Sequence, residues 1–170
     1  MKLILKSTVM SFVLIGILSI YSISLKSIVP HEMACGAKIE NILYSMGAPE
    51  NDVPEIANAI IMASRQTGVS ENLIIALMAT ESNFNKNALS VSGYSGLMQI
   101  PRQYTQYGGI KYIDINVLIG ARIFKEKLYI TGGDVHRAII LYKGWRPTDE
   151  KGIVNANRVM RIYTNINNRT

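Results

Sequence analysis

Apolar side chains that recur at every third or fourth residue constrain the fold of this chain more than any other feature. One such stripe, in 54–67, consists of Ile56, Ala59, Ile60 and Ala63. This spacing places apolar side chains on one face of a helix, whereas few segments show the period-two alternation of a half-buried strand. The pattern predicts a mostly α-helical domain.

Capping residues and glycines divide the chain into six predicted helices. The residues placed to cap helix N-termini are Asp52, Ser70, Asp114 and Asp134, and glycines at 47, 68, 132 and 133 are placed to end helices. The predicted helices are 34–46, 54–67, 71–84, 114 to the glycines at 132–133, 135–142 and 153–166. Residues 85–96 are rich in Asn, Ser and Gly, and this composition predicts a loop.

The first 26 residues are typical of a segment that directs export. Two lysines precede an almost unbroken apolar run over 9–21, and serines at 22 and 24 are placed for cleavage by a signal peptidase. A membrane anchor is an equal alternative, because 8–25 approaches the length that spans a bilayer and Lys26 follows it. Both alternatives place the rest of the chain outside the cytoplasm.

Charge and cysteine content exclude several kinds of site. Three of the 18 bases lie in 1–26, so the remainder is only mildly basic, and it lacks the basic or aromatic stripe of a nucleic-acid binder. Cys35 is the only cysteine, which excludes an intrachain disulfide and a zinc site of the multi-cysteine type. His31 and His136 are far apart and lack companion ligands, so no metal site is predicted.

The third predicted helix carries a carboxylate on its apolar stripe. Glu81 follows Ile74, Leu77 and Met78 by seven, four and three residues, where an apolar side chain is expected. Burial and the negative end of the helix dipole would both raise the pKa of this carboxyl, as a general acid near neutral pH requires. The alternative is a solvated Glu81, or one paired with a base such as Lys86.

The residues after Glu81 carry a resemblance to a known family. The matching positions are Glu81-Ser82-Asn83-Phe84-Asn85, Ala88, Ser90, Gly93 and Gly96-Leu97-Met98-Gln99-Ile100. This pattern resembles the signature of the soluble lytic transglycosylase (SLT) family, relatives of goose-type lysozyme, and the resemblance covers about residues 54–145. It implies a lysozyme-like helical catalytic domain at 54–170, behind a signal or anchor at 1–26 and a linker with the first helix at 27–53.

The resemblance also implies a reaction. The family's single Glu, here Glu81, protonates the glycosidic oxygen between N-acetylmuramic acid and N-acetylglucosamine and then acts as a base. The substrate's own N-acetyl group and 6-hydroxyl complete the reaction, which leaves a 1,6-anhydromuramic end and needs no cofactor or metal. By the same resemblance, the residues that would line the substrate groove are Ser90, Gly96, Met98, Gln99 and Tyr142. Without it, Met98 would be expected in the core and Ser90 as a cap.

One departure from the family pattern bears on this chemistry. The family usually has Ala-Tyr-Asn, one residue, then Gly, whereas this chain has Leu141-Tyr142-Lys143-Gly144-Trp145. A lysine near Glu81 would favour the carboxylate and lower its pKa unless the side chain pointed outward. A lysozyme-type hydrolase and a wall-binding assembly protein with little turnover therefore stay open beside the transglycosylase.

The expected partner is the glycan strand of peptidoglycan, in the periplasm or cell envelope and not in the cytoplasm. Anchoring in the inner membrane through residues 8–25 is one form that this location could take. Small exported enzymes of this kind often serve a secretion system, a pilus, or the apparatus by which a phage enters a cell. The resemblance and the size of the chain favour such a role in opening the wall locally.

Overall fold

The computed structural model describes residues 35–107 and 112–169. The predicted signal or anchor at 1–26, His31 and the first part of the linker lie outside the described residues. The described residues from Ile39 onwards belong to one compact unit. In the described part of the chain, no helix is both long enough and apolar enough to cross a membrane.

The described residues form six α-helices and two short 3-10 helices. The α-helices are α1 (35–45), α2 (Val53–Thr67), α3 (Glu71–Glu81), α4 (Ile113–Ile130), α5 (Val135–Tyr142) and α6 (Glu150–Asn167), and the 3-10 helices are Glu50–Asp52 and Arg102–Tyr107. Between α3 and α4, Ser95 forms isolated antiparallel bridges to Leu89 and to Ile100, and the described residues contain no regular strand. The prediction of a mostly helical domain is confirmed.

Two of the predicted helix caps form as expected. The Ser70 hydroxyl accepts a hydrogen bond from the amide of Leu73 at 3.2 Å, at the start of α3. The Asp134 carboxylate accepts one from the amide of Arg137 at 3.0 Å, at the start of α5. These side chains satisfy amide groups that the first turn of a helix leaves without a partner. Short-range capping rules therefore locate these two starts correctly.

Four details of the predicted helices are wrong. Helix α4 begins at Ile113, so the carboxylate of Asp114 caps nothing and binds the adjacent Ile115 amide instead. Asp52 holds the N-cap position of α2 without a capping hydrogen bond, because its carboxylate pairs with Lys86. Helix α6 begins at Glu150, three residues earlier than predicted.

The fourth correction concerns the end of α3. The prediction carried this helix to Phe84, but the helix ends at Glu81. Asn83 and Phe84 have φ angles of 50° and 61°, in the left-handed region that a right-handed helix cannot include. The earlier end places Glu81 on the last turn of α3, directly before the chain reverses.

Helix α3 is the centre of the domain. It packs against α6 and α2, while α5 packs against both α4 and α6. Seven consecutive residues, from Leu73 to Ala79, are buried, so this helix is covered on all sides and not on a single stripe. The free energy gained by burying this apolar surface fixes where the last turn of α3 lies.

Close packing between α4 and the chain before it depends on a glycine. A Cβ atom at Gly120 would lie 2.4 Å from the Cβ of Met98, which is too close for any real side chain. Met98 is completely buried in this position. The absence of a side chain at residue 120 therefore allows α4 to lie against the segment that contains Met98.

We predict that Gly120→Ala lowers the free energy of unfolding by about 1–3 kcal/mol, because the new methyl group overpacks the contact with Met98. Urea denaturation followed by circular dichroism measures this change. Gly36→Ala is the matched control, since Gly36 is also helical and no atom lies within 4 Å of the added Cβ. Equal stability of the two variants would contradict the packing argument.

Candidate active site

Glu81 lies where the buried helix α3 meets the loop that follows it. The side chain of Ser82, the next residue, donates a hydrogen bond to the carbonyl of Leu97 at 2.8 Å. This bond ties the end of α3 to the far side of the loop, 15 residues later. The carboxylate of Glu81 therefore emerges from a fixed helix end towards a loop that is fixed to the same helix.

The loop after α3 is held by a buried asparagine of α4. The Asn116 side chain accepts a hydrogen bond from the amide of Met98 at 2.8 Å and donates one to the carbonyl of Ser95 at 3.0 Å. Gly96 has a φ of 74°, and a Cβ there would lie 2.2 Å from the Asn116 amide nitrogen. Only glycine fits both this backbone conformation and this approach.

A pocket of about 240 Å³ opens beside Glu81. We call it the Glu81 pocket, and it is lined by Glu81, Ser90, Ser92, Tyr94, Gln99, Tyr142, Lys143 and Trp145. A second pocket, of about 360 Å³, lies next to it, and we call it the Tyr104 pocket. It shares Tyr94, Gln99 and Tyr142 with the first. The two cavities are therefore neighbouring parts of one concave surface, divided by three shared side chains.

Four of the six predicted site residues meet in the Glu81 pocket. They are Glu81, Ser90, Gln99 and Tyr142. Gly96 and Met98 are buried and do not line it. Gly96 is covered by Asn116, and the Met98 side chain packs against Gly120, so both support the loop from beneath. Met98 takes the core position that its residue type alone favours.

The polar side chains of the pocket retain groups that can bind a sugar. The Ser90 hydroxyl accepts a hydrogen bond from the amide of Tyr94 at 2.9 Å, which closes a turn within the loop and leaves the hydroxyl proton for donation. The Gln99 amide nitrogen donates to the carbonyls of Ala88 and Gly96, at 3.2 and 3.0 Å, which leaves its side-chain oxygen as an acceptor.

Tyr142 joins α5 to the loop and to the core. Its hydroxyl donates a hydrogen bond to the carbonyl of Met98 at 2.7 Å, and its ring packs edge-on against Phe124 with centroids 5.8 Å apart. Burial, and to a smaller extent the charge of Glu81, raises the pKa of Tyr142 well above its ordinary value. Tyr142 therefore stays a neutral phenol next to Glu81.

Lys143 points into the pocket and not outward. Its ammonium nitrogen lies 2.9 Å from Oε1 of Glu81, and the two side chains are only 10% and 12% exposed. The two groups form an ion pair, and both the charge of Lys143 and its close contact with the carboxylate favour the ionised form of Glu81. Lys86, the alternative partner considered for Glu81, pairs with Asp52 at 2.7 Å instead.

Burial decides the protonation behaviour of Glu81. Removal of the carboxyl from water raises its pKa above the ordinary value, and the positive charge of Lys143 opposes this shift without cancelling it. A lysine near Glu81 was expected to lower its pKa, and the contribution of Lys143 does act in that direction. The larger effect of burial leaves a carboxyl that can carry a proton at higher pH than an exposed one.

Sequence reasoning missed three residues of the pocket, namely Ser92, Tyr94 and Trp145. Trp145 is the only tryptophan of the chain, and an aromatic ring is a common platform for a sugar. That signal was available beside Tyr142. Among the described residues, no cluster of three His, Cys, Asp or Glu side chains is placed to hold a metal ion. His136 binds the side chain of Asn157 at 2.9 Å on the surface.

Comparison with known protein families shows that the pocket lies within a segment that matches one of them. The family model described as "Transglycosylase SLT domain" matches residues 58–155, which include every residue of the Glu81 pocket. The chain is also similar to a protein named membrane-bound lytic murein transglycosylase C from Actinobacillus succinogenes, with 53% identity over 38 residues. That segment is 22% of this chain and spans only 11% of the relative's length.

We predict that Asn116→Ala lowers the free energy of unfolding by roughly 1–3 kcal/mol, because it leaves the buried Met98 amide without a partner and removes one of the two hydrogen bonds to the Ser95 carbonyl, which keeps the bond from the Ile100 amide. Thermal or urea denaturation measures the loss. Asn72→Ala is the control, because its hydrogen bond to Asn167 at 2.7 Å is exposed and its loss should change stability little. Similar losses in both variants would contradict a special role for Asn116.

The raised pKa of Glu81 predicts how stability depends on pH. The unfolded chain releases the Glu81 proton near the ordinary value of 4.5, before the folded protein does, so the contribution of Glu81 to stability falls as pH rises from there through the raised pKa. Urea unfolding of the wild type and Glu81→Gln across this range measures it. The stability of the wild type relative to the variant should decrease with pH, and a constant or rising difference would contradict the raised pKa.

Proposed function

Because the chain belongs to the Transglycosylase SLT domain family, we propose that it is a peptidoglycan lytic transglycosylase with Glu81 as its catalytic acid and base. The bond cleaved is the β-1,4 linkage between N-acetylmuramic acid and N-acetylglucosamine, and the product carries a 1,6-anhydromuramic end. The observation that carries this proposal is a largely buried carboxyl with a raised pKa, which faces a pocket of hydroxyl, amide and aromatic groups. A general acid for glycoside cleavage requires these properties.

The content of the pocket favours a mechanism with one carboxyl. Of the described residues that line the Glu81 pocket, Glu81 is the only acid. The acid of the neighbouring Tyr104 pocket, Glu126, is 61% exposed in its side chain and pairs with Lys127. Glycosidases that use two carboxyls place both beside the scissile bond. The described residues that line the pocket offer no such pair, which favours a reaction in which the substrate supplies the second group.

The proposed reaction has two proton transfers, both at Glu81. In the first, the carboxylic acid protonates the leaving glycosidic oxygen, while the N-acetyl oxygen of the muramic residue attacks C1. In the second, the resulting carboxylate removes the proton from the 6-hydroxyl, whose oxygen attacks C1 and displaces the acetamido oxygen. Glu81 regains its proton, and no water molecule is consumed.

The remaining groups of the pocket fit roles in binding. The Ser90 hydroxyl can donate and the Gln99 side-chain oxygen can accept, as sugar hydroxyls and acetamido groups require. Tyr94 and Trp145 offer ring faces or edges to the apolar side of a sugar. Tyr142 keeps the loop in place beside Glu81 through its bond to Met98.

A second candidate function is a wall-binding assembly protein with little turnover. The ion pair of Lys143 with Glu81 favours it, because it stabilises the carboxylate and opposes the protonated form that starts the reaction. Hydrolysis in the manner of lysozyme is the other alternative, in which water attacks C1 in place of the 6-hydroxyl. The presence of products, and their mass, distinguish all three.

An envelope location is part of the proposal. The apolar segment in 1–26 supports it as an export signal or as an anchor through residues 8–25 in the inner membrane, and the name of the similar protein includes "membrane-bound". Within the periplasm or envelope, the protein would open the wall locally for a secretion system, a pilus or a phage.

The decisive experiment is mass spectrometry of the fragments that the purified protein releases from peptidoglycan. We predict anhydromuramic products, one water lighter than hydrolysis products, and a loss of at least roughly 100-fold in rate for Glu81→Gln, since a general acid contributes about that much. Glu71→Gln is the control, because it makes the same change at the opposite end of α3.

The other outcomes identify the alternatives. Hydrated products that disappear with Glu81→Gln would mean a lysozyme-type hydrolase. Binding to peptidoglycan without products, from a protein shown to be folded, would favour the assembly protein. Full activity of Glu81→Gln would contradict the role given to Glu81.

A further inference from the structure

A buried cation beside a proposed general acid requires an explanation. Lys143 and Glu81 are 10% and 12% exposed in their side chains and lie 2.9 Å apart. Placing two charges in such an environment costs desolvation energy that their attraction only partly offsets. A lysine that served solubility alone would lie in water, so its position in the Glu81 pocket points to a role that involves Glu81 directly.

The backbone explains why a cation is tolerated at this point. Lys143 is the C-cap residue of α5, and its amide binds the carbonyls of Ile139 and Leu141. Glu81 is the last residue of α3, so the negative ends of two helix dipoles meet at this pocket. A positive side chain is favourable beside two such ends, whereas an added carboxylate is not. Lys143 therefore compensates for the charge that Glu81 brings.

We propose that Lys143 is a positioning residue that holds the Glu81 carboxylate in the free protein and sets the upper pH limit of cleavage. This inference rests on the proposed function of the same pocket. In the resting state, the Glu81 carboxylate faces the Lys143 ammonium group. The reactive state forms when Glu81 takes one proton from solvent.

The ion pair then acts differently on the two halves of the reaction. It opposes the first half, in which Glu81 must be protonated, because the proton removes one partner of the pair. It assists the recovery of the carboxylate after that proton has passed to the leaving oxygen. A cation at this distance should keep cleavage restricted to lower pH than burial of Glu81 alone would allow.

Few other charges face Glu81. Tyr142 contacts it electrostatically, but its raised pKa keeps it neutral over the working range. Glu126 and Lys127 line the neighbouring Tyr104 pocket and pair with each other at 3.2 Å. Of the described residues that line the Glu81 pocket, Lys143 is thus the one base, and Glu81 is its one acid.

The test compares Lys143→Met with the wild type. Methionine keeps most of the length of the unbranched side chain and removes its charge, and the backbone bonds of the α5 cap do not depend on it. We expect the alkaline limb of the kcat/KM profile for peptidoglycan cleavage to move up by roughly one pH unit, because an opposite charge this close shifts a carboxyl by at least that much. Above the limb of the wild type, kcat/KM should rise up to about tenfold.

Two further variants separate charge from shape. Lys143→Arg retains the positive charge and should keep the limb near that of the wild type. Lys86→Met removes the lysine of another ion pair, that with Asp52, whose members do not line the Glu81 pocket. It should leave the limb unchanged. A limb that does not move in Lys143→Met, with KM raised at every pH, would assign Lys143 to substrate binding and overturn the proposal.

Direct titration of Glu81 makes the inference independent of turnover. The side-chain carboxyl carbon, labelled with ¹³C, reports the protonation of Glu81 in NMR spectra of the wild type and of Lys143→Met. A higher midpoint in the variant supports the proposal even if neither protein cleaves peptidoglycan, in which case the proposed function fails alone. Equal midpoints overturn the role of Lys143, whatever the activity.

Discussion

The burial of helix α3 is the constraint on which the rest of this structure depends. A helix that is covered on all sides cannot rotate or slide without exposing apolar surface, so its last turn has one position. The domain uses that position for Glu81. Placing a carboxyl at the edge of the core is unfavourable, and the free energy gained by burying the apolar residues of α3 offsets this cost. The same removal from water raises the pKa of Glu81.

The second requirement is a loop that keeps its shape against this helix end. It is met by contacts from three directions: Ser82 binds Leu97 from α3, Asn116 binds the backbone from α4, and Tyr142 binds the Met98 carbonyl from α5. Each contact ends on backbone atoms of the loop. The pocket is therefore shaped by main-chain geometry, and side chains such as Ser90 and Gln99 are left to face it.

The sequence predicts the elements of this domain better than their junctions. Periodicity and capping residues locate the helices because those signals are local, as at Ser70 and Asp134. The sequence places the end of α3 too late, because Asn83 and Phe84 adopt the left-handed conformation without being glycine. The sequence therefore carries no glycine or proline at this point to signal the end of the helix. The inward direction of Lys143 depends on its contact with Glu81, a distant segment of the chain, which no local pattern contains. Glu81 was identified because its anomaly, an acid on an apolar stripe, is itself local.

The close approach of Gly120 to Met98 also bears on how such a protein can evolve. A residue larger than glycine at 120 needs a smaller one at 98, and neither change is neutral by itself. The two positions should therefore vary together among descendants of this chain. Residue 98 lies in the loop beside the pocket but does not line it. A substitution at residue 120 in α4 can therefore change the shape of the pocket without altering any residue that lines it.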